Sequence, residues 1–123
     1  MPIDPRPETI ESARPDELVL MLFEGAIRFG GEAITAFDEG RDADAAALVG
    51  RVTAILLELD RSLDRRVGSV GRQLGAIYDY LLRKLSGPHV DRDAVAEVVA
   101  DVEDLTEAWE VLVSRNEAEL SAA

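Results

Sequence analysis

The stretch LVLMLFEGAI, Leu18 to Ile27, decides how this chain is read. Its first six residues, Leu18 to Phe23, are all apolar. A helix turns once in about 3.6 residues, so such a run sends apolar side chains in every direction. A helix at a protein surface ordinarily shows one apolar stripe and one polar face. On a wheel of about 100° per residue, Leu18, Leu22, Gly25, Ala26, Phe29, Ala33 and Ala36 make one stripe, enough to face a core. Val19, Leu20, Phe23, Ile27 and Ile34 make a second, centred roughly 130° away. Something must bury that surplus. Two covers suit it: an amino-terminal arm carrying Ile3 and Ile10, or a second chain that displaces the arm.

Outward from this stretch, proline and glycine divide the chain into an arm and four helices. Residues 1–14 hold Pro2, Pro5 and Pro7 and read as an extended arm. A first helix is expected over 15–39. Pro15 suits the first helical position, where a missing N–H costs nothing, and Asp16 and Glu17 place negative charge at the positive end of the helix dipole. Glu17 can also reach back to the N–H of Arg14, half of a capping box. Gly40 is the stop. Asp42 is the expected cap of a second helix over 42–66, RVGSVG the break after it, and 72–85 a shorter third helix. Asp91 caps a fourth over 91–119, with 120–123 left as a tail.

Apolar residues recur every three or four positions: Leu48, Val52, Ile55, Leu59 and Leu63 in the second helix, Leu74, Ile77, Tyr78, Leu81 and Leu85 in the third. The fourth continues with Val95, Val98, Val102, Leu105, Trp109 and Leu112. No segment alternates as a strand would. Short links between long helices favour antiparallel neighbours, so the expected fold is all-α, an up-down-up-down four-helix bundle with an extended arm. The third helix spans ~20 Å where its neighbours approach ~35 Å, which leaves concave apolar surface beside it. Tyr80 lies about 120° from the centre of that helix's core stripe, beside Gln73, Ala76 and Lys84. A tyrosine next to a groove offers large apolar area, a polar tip and little rotamer entropy to lose.

Composition narrows the function. Thirteen Lys and Arg against 25 Asp and Glu give a net charge of −12. Phosphate-binding surfaces need clustered cations, so nucleic acid and anionic membranes are disfavoured. No apolar run approaches the roughly 20 residues that span a bilayer. MPIDPRPETIESARP lacks the basic-then-apolar order of a signal peptide, and no cysteine asks for an oxidising compartment. Catalytic chemistry is missing too. The single histidine, His89, sits in the turn SGPH, and one histidine cannot supply the two Glu-x-x-His pairs of a di-iron bundle. Gly25 and Gly30 have the spacing of a phosphate loop, but Gly31-Glu32 follows where Lys and Ser or Thr are required. The expected protein is not an enzyme and has no metal or cofactor site.

Three motifs carry a resemblance. IESARPDELVLMLFEGAIRF, Ile10 to Phe29, resembles the opening of the FliS-type flagellar export chaperones, a Thr-Ala-Ser-Pro turn followed by a Leu-Met-Leu-Tyr-x-Gly-Ala-Ile block. LGAIYDYLLRKL, Leu74 to Leu85, is similar to that family's Leu-Tyr-x-Tyr helix, and LTEAWEVL, Leu105 to Leu112, to its closing Leu-x-x-Ala-Trp element. The motifs keep the family's order across about residues 10 to 113. Departures are Arg14 for the capping Ser, Phe23 for Tyr, and Gly30-Gly31 where the family carries a larger apolar residue.

The resemblance implies a cytoplasmic chaperone, monomeric when free, that binds the disordered carboxy-terminal segment of flagellin. Such a chaperone blocks premature polymerisation and helps deliver the subunit to the flagellar export gate. With the surplus stripe, it marks Ile10, Val19, Leu20, Phe23, Ile27, Ile34, Tyr78, Tyr80 and Trp109 as the expected client contacts. A chaperone for another export client, or a bundle that homodimerises through the surplus stripe, stays open at this point.

Overall fold

The computed structural model describes residues 15–63, 68–88 and 90–122. Four helices follow one another: α1 (Pro15–Asp38), α2 (Asp42–Ser62), α3 (Gly68–Lys84) and α4 (Arg92–Ala122), with no strand among the described residues. The capping contact of Glu17 with Arg14, the arm, Ile10 and His89 lie outside the described residues.

Local chemistry sets the ends. α1 opens on Pro15 with Asp16 and Glu17 in its first turn. It closes at Gly40, whose φ of 74° is the left-handed conformation that glycine adopts without steric cost. The Arg41 N–H donates to the Ala36 carbonyl (2.8 Å) and the Gly40 N–H to that of Phe37 (3.1 Å), the paired bonds of a Schellman stop. That stop moves the next cap. Asp42 is already helical, and the N-cap is Arg41, which makes no side-chain capping bond. The tight turn delivers the chain to α2 one residue early, and the Arg41 guanidinium holds Glu39 and Asp44 on either side of it. At α4 the expected cap is in place: Asp91 Oδ1 accepts from the Ala94 N–H at 2.9 Å.

Three boundaries differ from expectation by more than one residue. α2 ends at Ser62, α3 begins at Gly68 within the supposed break, and α4 continues past Glu119 to Ala122. Within α3, Gly71 and Gly75 are both buried.

Neighbouring helices run antiparallel. The Trp109 indole, late in α4, donates to the Asp16 carbonyl at the start of α1 (2.8 Å), while Arg92 at the start of α4 pairs with Asp38 at the end of α1 (2.6 Å). Across α1 and α2, Arg51 lies over Phe29 (5.2 Å) and a side chain at Gly25 would meet Ile55 (3.2 Å). α3 and α4 meet through Tyr80 and Glu97 at one level and Ile77 and Leu105 at the next. The core holds Phe23, Leu56, Leu59, Tyr78, Leu81, Val95, Val98 and Val102.

This arrangement answers what covers the surplus of α1. Its most buried line is Phe23, Ala26, Gly30 and Ala33, which falls between the two sequence stripes. One stripe turns toward α2, where Gly25 faces Ile55, and the other toward α4, where Phe23 meets Trp109 edge to face with centroids 6.2 Å apart. Leu20, Ile27 and Ile34 are half-buried against the same core. Two neighbours are enough. Phe23, assigned by spacing to the outer stripe, is 0% exposed, because a helix flanked on two sides points the middle of its apolar arc inward. Met21, not any residue of the second stripe, is the exposed large apolar residue of α1.

Candidate functional site

The third helix presents two faces. Leu74, Tyr78, Leu81 and Leu85 point into the core, and Tyr78 is 2% exposed. Burial, with the Asp60 charge as a lesser cause, pushes the Tyr78 hydroxyl up to about 12. Two residues on, Tyr80 is 44% exposed. The 100° step of a helix separates their roles.

Beside Tyr80 the surface sinks into a groove of ≈ 470 Å³ between α3 and α4. Ala76, Ile77 and Leu105 make its apolar part, Tyr80 a wall, and Asp101 and Asp104 the rim on α4. Ile77 and Leu105 are partly buried against the core below it, and Ala76 is exposed at its edge. Tyr80 does not swing freely. Its hydroxyl donates to Glu97 Oε1 at 3.2 Å, and Lys84, which pairs with the other Glu97 oxygen, sits 5.8 Å from the ring centroid. The hydrogen bond from Lys84 holds the Glu97 carboxyl below its ordinary range and the Lys84 ammonium above its own. Asp101 moves the other way: burial raises it, and the charges of Glu97 and Asp104 add to the effect.

The residues marked from sequence fall into three places. Tyr80 lines the groove. Phe23 and Tyr78 are core residues, and Val19, Leu20, Ile27, Ile34 and Trp109 are partly buried against the core. Trp109 fixes the seam between α1 and α4 through its indole N–H and its contact with Phe23. The groove also holds Ile77 and Leu105, which the spacing assigns to the core stripes, and Asp101 and Asp104, which no sequence motif singles out. Only their position at i, i+3 and i+4 on one helix hinted that Asp101, Asp104 and Leu105 share a face.

Among the described residues no group of His, Asp and Glu is placed to hold a metal ion, and no helix is long and apolar enough to cross a membrane.

Comparison with known proteins agrees with the motifs. The model of the family described as "Flagellar protein FliS" matches residues 6–116. The chain is similar to the flagellar secretion chaperone FliS of Bacillus subtilis, 30% identical over 103 residues that cover 82% of this chain and 77% of the relative. It is 33% identical to the FliS of Campylobacter jejuni over 98 residues, 77% of each chain. It is 31% identical to that of Salmonella typhimurium over 104 residues, 81% of this chain and 77% of the relative. All three relatives bear the name of flagellar secretion chaperones. A family model that matches residues 6–116 and three relatives at 30% identity or more lead to one assignment: the chain belongs to the FliS family of flagellar secretion chaperones.

Proposed function

We propose that the chain is a cytoplasmic export chaperone that binds the disordered carboxy-terminal segment of flagellin, keeps it from polymerising and brings it to the flagellar export gate. The observation that carries this reading is the apolar groove beside Tyr80 on a chain of the flagellar chaperone family. An amphipathic client helix lays residues i, i+3, i+4 and i+7 into such a groove. A preformed bundle lets an unfolded client wrap a large surface, and ordering the client subtracts about 2–5 kcal/mol from the gain. No nucleotide enters this scheme, since release falls to the export apparatus.

Of the residues marked from sequence, Tyr80 is the direct contact and Phe23, Tyr78 and Trp109 support the frame that holds it. Val19, Leu20, Ile27 and Ile34 offer half-buried edges for the continuation of the client, with Ile10 as a further contact from the arm.

Calorimetric titration with the last ~50 residues of the organism's own flagellin tests the reading. Saturable one-to-one binding, with helicity gained by the peptide and a negative heat-capacity change, is the expected result. Absence of binding to a folded monomer overturns the flagellin assignment in favour of another flagellar client. A stable dimer indifferent to the peptide favours self-association instead.

A further inference from the structure

The floor of the α3–α4 groove explains why an apolar side chain would enter it. It does not explain the rim. Asp101 and Asp104 stand on the groove edge one turn apart in α4, and neither has a cation within ion-pair reach among the described residues. Lys84, the nearest candidate, is held by Glu97. Lys84 attracts Asp101 without forming an ion pair with it, and burial and the neighbouring Glu97 and Asp104 charges outweigh that attraction, so the groove carries two carboxylates without an ion pair next to apolar surface. An occupant with an apolar surface alone would bury them further at a cost.

We infer that Asp101 and Asp104 recognise cationic side chains: the client segment seated in this groove presents an apolar row flanked by Lys or Arg residues three or four positions apart. This rests on the client-binding reading above. Charge complementarity selects this occupant over the two others within reach. A second copy brings its own net charge of −12 to an acidic rim. The chain's own residues 1–14 bring Asp4, Glu8 and Glu11 against Arg6 and Arg14, no surplus of cations from side chains. A client with Lys or Arg at helical spacing satisfies both carboxylates while its apolar face covers Ile77 and Leu105. Complementary charge of this kind fixes register and discriminates partners more than it adds raw affinity. In a groove where Tyr80 is locked by Glu97 and Lys84, register would otherwise be set by one aromatic wall alone.

The test titrates wild type, D101N/D104N, D101K/D104K and Y80A with the carboxy-terminal segment of the organism's flagellin at low and high salt. Circular dichroism of each variant checks that the bundle is intact. Wild type is expected to bind more weakly as salt rises, because exposed charge pairs are screened. D101N/D104N is expected to lose most of that salt dependence, and D101K/D104K to weaken binding by about tenfold or more through like-charge contact. If Y80A weakens binding while both double variants stay within about twofold of wild type, the groove is the client site and the charge proposal is overturned. Failure of the wild type to bind the segment removes the flagellin reading itself, and this inference with it. A wild-type dimer that D101N/D104N dissolves assigns the rim to a second copy and likewise overturns it.

Discussion

α4 treats its two neighbours differently. Against α1 it forms a closed seam: Val99 fills the space above Gly30, Phe23 meets Trp109 edge to face, and the two ends are tied by Trp109 to Asp16 and by Arg92 to Asp38. Against α3 it leaves a groove, bridged at one level by Glu97 with Tyr80 and Lys84 and open beneath. The difference is one of side-chain volume and spacing. A glycine in α1 admits a valine from α4, whereas on the α3 side a small Ala76 lines a groove together with Asp101 and Asp104. On the proposed function the two sides divide the work: the closed seam holds the bundle together, and the groove offers apolar surface to a client.

The comparison breaks most directly at Phe23. Removing a ring that is fully buried at the seam leaves a cavity, so Phe23→Ala is expected to cost about 3–5 kcal/mol. Chemical denaturation measures it, and a loss below about 1 kcal/mol would mean that the seam does not carry the fold.

The inner face of α3 gives the next effect, through pH. The Tyr78 hydroxyl titrates at about 12 in the folded chain against 10.0 when unfolded, so the folded state holds its proton longer as pH rises. Its contribution is complete below pH 10 and is lost between 10 and about 12, on the order of 2–3 kcal/mol in full. Stability is expected to fall over that window. Tyr78→Phe should remove this part of the slope, and an unchanged slope would place the hydroxyl in water.

Two adjacent glycines then sharpen the contrast within α1. A Cβ at Gly30 overlaps Val99 Cγ2, while one at Gly31 has nothing within 4 Å. Gly30→Ala is expected to destabilise, as overpacking of about 1–3 kcal/mol outweighs a helix-propensity gain of about 1 kcal/mol. Gly31→Ala keeps only the gain and is expected to raise the melting temperature. Equal signs for the two would show that the seam yields where Val99 touches it.

Much of this was legible beforehand. Gly40 and Asp91 end and begin helices where their chemistry predicts, because capping depends on residues only a few positions apart. Leu74, Tyr78, Leu81 and Leu85 were readable as one inward face of α3, while Ile77, read as part of the same stripe, is only partly buried and lines the groove. α1 was not, because its apolar arc is wide enough to hold two stripes. Nothing local states which line is deepest, and Leu56 in α2 was passed over for the same reason. Asp42 failed as a cap because the Schellman turn before it fixed where α2 begins.

By itself the sequence determined the class of fold, the number and order of the helices, the absence of catalytic motifs and the family resemblance. These follow from periodicity, capping and short motifs, all properties of neighbours along the chain. Only the tertiary structure decided that Phe23 faces inward, that Trp109 ties α4 to the start of α1, and that Asp101 and Asp104 border an apolar groove. Each depends on which helices lie side by side and how far apart their backbones settle. That distance is set by the volumes meeting across the interface, which no single helix contains.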